Sequence, residues 1–261
     1  MPEVRTDDVV LHVEVDGDGE PVTVLAHGLT NTCRELAQLT PLVVGTKVRF
    51  CFRAHGHSGP AASGRYGFDD FAADLDAVAS AYGSTRAVGT SLGAGAICRL
   101  LAARPDRFDR MVFLLPAGLD RPFRHKARFQ RIADILETLP RDQAVEALLD
   151  DPERLEVYDR APWLRDFDRL RWAEVLDPAA LGPAIRQVIE DTPVPDREVL
   201  RAVEAPVLIL CREGDPIHPA EVGRAMATLF PNAELRTFPD EVAMFEAMPG
   251  LVRQVNAFLA P

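Results

Sequence analysis

Gly89-Thr90-Ser91-Leu92-Gly93 reads G-x-S-x-G between a short apolar run and a small-residue apolar stretch. In a strand-turn-helix setting this pattern makes a sharp turn that needs small residues on both sides, and it lifts the serine hydroxyl clear of the sheet. Such a hydroxyl suits nucleophilic chemistry on a carbonyl. His27-Gly28-Leu29 follows another apolar run. A backbone N–H after that glycine, at Leu29, can point at the space above Ser91 and join the N–H of Leu92 in stabilising an oxyanion. His27 and Gly28 stand where a substrate would be met, although the His27 ring itself reads as a buried imidazole bonded to backbone. Asp215 lies in Cys211-Arg212-Glu213-Gly214-Asp215-Pro216-Ile217-His218, a loop that can supply an acid after the serine in chain order. His218 joins the substrate-facing positions and, three residues beyond Asp215 in the same loop, is placed to swing toward Ser91. His55 and His57 suggest a metal pair, but no carboxylate or cysteine stands near them in sequence. They read as loop packing, and no metal or cofactor is expected.

These residues need elements to hold them. Short valine-rich runs predict strands over Val9 to Val15, Val22 to Leu25, Val48 to Phe52, Ala87 to Gly89, Met111 to Leu115, Val207 to Cys211 and Leu235 to Phe238. From Val22 onward the runs are nearly continuous, as in a parallel sheet covered on both faces. The first alternates and suits an antiparallel edge strand. Helical periodicity covers Phe68 to Tyr82, Leu92 to Arg104, Ala220 to Phe230 and Phe245 to Leu259. Strand and helix alternate, which predicts a doubly wound α/β sheet. From Phe123 to about Val203 there is helical periodicity without a strand, punctuated by Pro140, Pro152, Pro162, Pro178, Pro183, Pro193 and Pro195. That pattern predicts several short helices with proline stops, forming a cap over one end of the sheet. The expected division is a core of residues 1–120 and 204–261 and a helical cap of 121–203. Phe123, Phe129, Trp163, Phe167 and Trp172 of the cap either line a cleft or pack its helices, with Phe123, Trp163 and Trp172 the candidate substrate contacts.

Composition narrows the partners. Hydrophobic residues make up 47% of the 261 residues, enough for a sizeable core, and the net charge of -11 argues against nucleic acid. The start, Met1-Pro2-Glu3-Val4-Arg5, has no basic segment followed by an apolar run, and no apolar stretch nears the ~18 residues of a membrane span. A cytoplasmic protein with no membrane partner, monomer or homodimer, is expected. Cys33, Cys51, Cys98 and Cys211 show no CxxC spacing and read as reduced core thiols.

His27-Gly28, Arg53-Ala54-His55-Gly56-His57-Ser58-Gly59, Gly89-Thr90-Ser91-Leu92-Gly93 and Gly214-Asp215 occur in the order and at the spacing of the α/β-hydrolase family, which the whole chain resembles. The resemblance implies the α/β-hydrolase fold, a mostly parallel central sheet flanked by helices with a helical cap. It also marks a departure. The family places a glycine-histidine pair after the last strand, followed by a helix with a glutamate and a proline. Counting back from Pro249 puts Val242 at the histidine position and Glu241 at the glycine, and no histidine follows His218. Ser91 and Asp215 then read as remnants of a Ser-His-Asp triad. Loss of a triad member leaves only about 10³–10⁴-fold catalysis over water.

A pocket with oxyanion donors but no base suits removal and return of a proton alpha to a carbonyl. The chain resembles the triad-deficient α/β-hydrolase-fold epimerases of bottromycin-type ribosomal peptide clusters. That resemblance implies a cofactor-free epimerase acting on an aspartate of a peptide, with help from the substrate's own carboxylate. Asp215, His218, Glu241 or the substrate would supply the base. A serine esterase or peptidase using His218 or a carboxylate, and a small-molecule binding protein, are the rival expectations.

Overall fold

The computed structural model describes residues 2–37, 39–41, 43–174 and 178–260. Among the described residues, eight strands form one sheet: β1 Glu3–Arg5, β2 Val10–Asp16, β3 Val22–Ala26, β4 Thr46–Phe50, β5 Arg86–Thr90, β6 Arg110–Leu114, β7 Val207–Arg212 and β8 Ala233–Phe238. Their spatial order is β1-β2-β4-β3-β5-β6-β7-β8. Strands β3 to β8 pair in parallel, while β2 runs antiparallel to β1 and β4. The alternating first run is antiparallel as expected but not the edge, because the three-residue β1 lies outside it. Three residues carry too little pattern to be read from sequence.

Helices α1 Phe68–Ala81, α2 Leu92–Ala103, α8 Ala220–Leu229, α9 Glu241–Glu246 and α10 Met248–Leu259 cover the sheet. Phe71, Leu75, Ile97, Leu101 and Met226 bury one face with Val24, Ala87 and Ile209. Leu251, Val255 and Leu259 bury the other with Leu25, Val88, Val112 and Leu208. β3 and β5 are buried at every residue, which explains why their centres are small or apolar. Helix Phe245 to Leu259 is in fact two, joined at Ala247, with Pro249 in the first turn of α10 where its missing N–H costs nothing.

Between β6 and β7 come α3 Lys126–Thr138, α4 Arg141–Leu149, α5 Pro152–Arg160, α6 Trp163–Ala173 and α7 Pro178–Val188, called the cap below. Pro140 and Pro162 are N-caps and Pro152 opens α5, so the prolines do mark helix starts. Three depart from this: α7 runs through Pro183, and Pro193 and Pro195 lie in the irregular stretch after it. Among the described residues no helix is long and apolar enough to cross a membrane, and the four cysteines are unpaired and buried.

The register sets the site. Ala26 pairs with Gly89, Gly89 with Phe113, and Phe113 with Ile209. The carboxyl ends of β3, β5 and β7 therefore lie level, and the loops carrying Leu29, Ser91 and Asp215 leave the sheet at one edge, where open α/β sheets take ligands.

Candidate active site

Ser91 sits between β5 and α2 with φ 49° and ψ −103°, a conformation that L residues rarely hold. Sterics enforce it. A Cβ at Gly89 would lie 2.7 Å from the Gly93 carbonyl carbon, and one at Gly93 would strike the Ala26 carbonyl oxygen. The turn closes only with glycine at both places. Gly93 N–H donates to His27 O at 3.1 Å and ties the turn to the end of β3.

His218 reaches this serine. Its Nε2 is 3.1 Å from Ser91 Oγ and its Nδ1 is 2.9 Å from Asp215 Oδ2. With the proton on Nδ1 donated to the carboxylate, Nε2 is free to accept the serine proton. Asp215 Oδ1 accepts the backbone N–H groups of Ile217 and His218, at 2.9 and 3.1 Å. Arg212 Nε donates to Oδ2 at 2.7 Å. Burial opposes charge on Asp215, but the His218 hydrogen bonds and the Arg212 cation outweigh it and hold the carboxyl well below its usual range.

The expectation of a serine without an imidazole is thus corrected. The carboxylate and the imidazole that reach Ser91 come from one loop, at Asp215 and His218. Val242, at the family's histidine position, lies in α9 and packs partly buried against the main apolar core, with no polar atom to offer. Beside it, Glu241 pairs with Arg212 at 3.3 Å and with Arg154 of the cap at 2.8 Å. Two cations hold it, a poor setting for a base. A regular Arg-x-x-Asp-x-x-His spacing over 212–218 was the available signal for this loop.

The oxyanion side is built by backbone. Leu92 opens α2, where N–H groups lack intrahelical partners and the dipole favours negative charge. Leu29 N–H makes no backbone hydrogen bond among the described residues. His27 accepts Phe52 N–H at Nε2 (3.0 Å), so its Nδ1 donates to Gly28 O at 2.8 Å. Burial and the neighbouring His55 ring keep it neutral, well below its usual pKa. It is a support for the loop, not a substrate contact. Gly28 N–H is already taken by Glu35 Oε2 at 2.6 Å, while Asn31 Nδ2 donates to Oε1 at 2.6 Å. Sequence reading missed Glu35. A Cβ at Gly28 would lie about equally close to this carboxylate and to Ser91 Cβ, at 3.4 to 3.5 Å. Burial pushes the Glu35 carboxyl up to about 7, against the Gly28 hydrogen bond and the Arg171 cation.

The cap meets these loops through charges. Asp215, Arg212, Glu241, Arg154 and Asp168 follow one another as ion pairs, and Arg171 bonds Asp168 at 3.1 Å and Thr30 O at 3.3 Å. The chain of charges runs from Asp215, through the cap, to Thr30 in the loop that carries Leu29. The cap aromatics make packing contacts. Phe123 is buried edge-on to Phe129, Trp172 is buried under Arg171, and Trp163, half-exposed, packs with Phe167 around Phe245.

Residues 50–242 match the family model described as alpha/beta hydrolase fold. The chain is similar to an enol-lactonase from Burkholderia xenovorans LB400, with TM-score 0.79 and 18% identity over 99% of each chain. It is similar to a thermophilic esterase from Thermogutta terrifontis, with TM-score 0.77 and 18% identity over 100% of this chain and 99% of the other. A hydrolase from Pseudomonas aeruginosa PA01 has TM-score 0.77 and 22% identity over 99% and 97%. At these identities the likeness is one of fold. By the family match, the chain belongs to the α/β hydrolase fold family.

Proposed function

We propose that the chain is a serine hydrolase of carboxylic esters or related acyl compounds. One observation carries the reading: His218 bridges Ser91 Oγ at 3.1 Å and Asp215 at 2.9 Å. His218 takes the serine proton as Oγ attacks the acyl carbon. The negative charge on the former carbonyl oxygen falls to the N–H groups of Leu29 and Leu92. His218 then gives its proton to the leaving alkoxide, and repeats the cycle with water to free the acid. Asp215 orients the ring and stabilises the imidazolium. The esterase and enol-lactonase of similar fold support the same class.

A second reading is favoured by Glu35. A carboxyl with a pKa about 7 close to the oxyanion donors is suited to moving a proton alpha to a carbonyl. In that reading the chain is a cofactor-free epimerase of an aspartate in a ribosomally made, bottromycin-like peptide. Two assays on one preparation separate the readings. Short-chain p-nitrophenyl esters should be turned over by wild type and not by Ser91→Ala. Failure of the whole ester panel, with deuterium uptake at Cα of an aspartyl-thiazoline peptide, would replace the first reading by the second.

A further inference from the structure

His12 and Glu14 are two apart on β2, so their side chains leave the same face of the strand. Cys33, in the loop after β3, comes down onto that face. His12 Nε2 or Nδ1, a Glu14 carboxylate oxygen and Cys33 Sγ all lie within 4.8 Å of one another. His12 and Cys33 are buried. Yet these polar atoms do little for each other: His12 Nε2 is 3.5 Å from Glu14 Oε1, the outer limit of a hydrogen bond. We propose that His12, Glu14 and Cys33 form a binding site for a divalent cation of the zinc class, separate from the Ser91 centre.

The donor set points to that class. Thiolate, imidazole and carboxylate together suit zinc, whereas magnesium and calcium take oxygen ligands. Metal–ligand bonds of roughly 2.0–2.3 Å bring ligand atoms to within about 4 Å of each other, a spacing that His12 and Glu14 already meet at 3.5 Å. Glu14 is held for this role. Arg49, opposite it on β4, donates to Oε2 at 3.2 Å and leaves Oε1 toward His12. The remaining cation nearby, Arg34, is 61% exposed at its side chain and 3.9 Å from Oε1, and swings out as the metal enters. Cys33, alone of the three, lines a pocket of about 220 Å³ together with Thr32, Arg34, Cys51, His57 and Glu174. Cys51 Sγ already accepts Cys33 N–H at 3.3 Å, so water completes the shell. A bound ion would tie β2 to the loop that carries Leu29, which sequence spacing did not suggest because the ligands come from two separated segments.

Untagged full-length protein, stripped with a chelator, is dialysed against Zn²⁺ and, separately, Co²⁺. The expected result is one equivalent of zinc per chain and, with cobalt, a thiolate-to-metal charge-transfer band. Cys33→Ser should abolish the band. Glu14→Gln, at a part-exposed position that the fold tolerates, should weaken zinc binding more than about tenfold. His218→Ala should bind one equivalent as wild type does, which separates this site from the triad. Stoichiometry well below one, cobalt bound without the band, or affinity unchanged in both Cys33→Ser and Glu14→Gln would overturn the proposal.

Discussion

The loop that presents Ser91 and the loop that presents His218 meet across 3.1 Å, but different forces shape them. The elbow from Gly89 to Gly93 is a steric object. It packs against Ala26 and Ile97, and its glycines stand where no side chain fits. The loop from Arg212 to His218 is an electrostatic object. Arg212, Asp215 and His218 hold it through hydrogen bonds, and Gly214, at φ +66°, has open space around it. Sterics leave one solution for the elbow. Charges let the acid and the base share seven residues, with no need for a histidine after the last strand.

Breaking each side of this contrast has a different signature. His218→Ala should cost about 10⁶-fold in kcat for a short ester, with folding intact, because the base goes and the elbow stays. Ester kinetics beside a denaturation midpoint read both. Gly93→Ala should do the reverse, destabilising the fold by about 3 kcal/mol or preventing folding, since the new methyl meets the Ala26 carbonyl. Gly214→Ala, strained by its positive φ but unobstructed, should cost only about 1 kcal/mol in urea unfolding.

The rings behind the elbow add a pH signature. Burial lowers His55 to about 4, and His27 also lies well below its ordinary value. Unfolded chains therefore bind more protons at these rings between about pH 6.5 and 4, and their contribution to stability is present above that window and lost as pH falls through it. For His55 the loss is on the order of 3 kcal/mol at pH 4. Glu35 acts with the opposite sign, since its raised pKa means stability lost as pH rises from about 4.5 toward 7. Urea midpoints of His55→Asn and wild type at several pH values should therefore converge as pH falls. Parallel curves would contradict the assignment. The smallest effect is expected at Arg212→Met. It frees one acceptor of Asp215 and lets that carboxyl rise toward its ordinary range, so kcat should fall about tenfold, more at acid pH, with KM little changed.

What the sequence disclosed follows the same division. The central strands β3, β5 and β7 were legible because burial on both faces demands mostly apolar or small residues, and the elbow because its sterics demand Gly-x-Ser-x-Gly. The cap was legible as proline-punctuated helices, apart from Pro183 inside α7 and Pro193 and Pro195 in irregular chain. The partner of Ser91 was legible only as a rival expectation, at His218. A motif expectation placed the base after β8, and Val242 there suggested its loss, whereas the geometry of one loop brings His218 to Ser91. Glu35 was missed for a related reason: its role depends on a contact with the Gly28 N–H that no spacing announces. Ion pairs between Arg154, Glu241 and Asp168 join segments too far apart in sequence to be paired by eye.

The account stands on Ser91 being activated by His218. Intact-mass analysis after brief treatment with a fluorophosphonate tests this directly, using wild type, Ser91→Ala and His218→Ala, each shown to be folded. The expected result is one adduct on wild type, none on Ser91→Ala, and labelling of His218→Ala slowed by orders of magnitude. Equal labelling of His218→Ala and wild type, or no adduct on wild type, would contradict it.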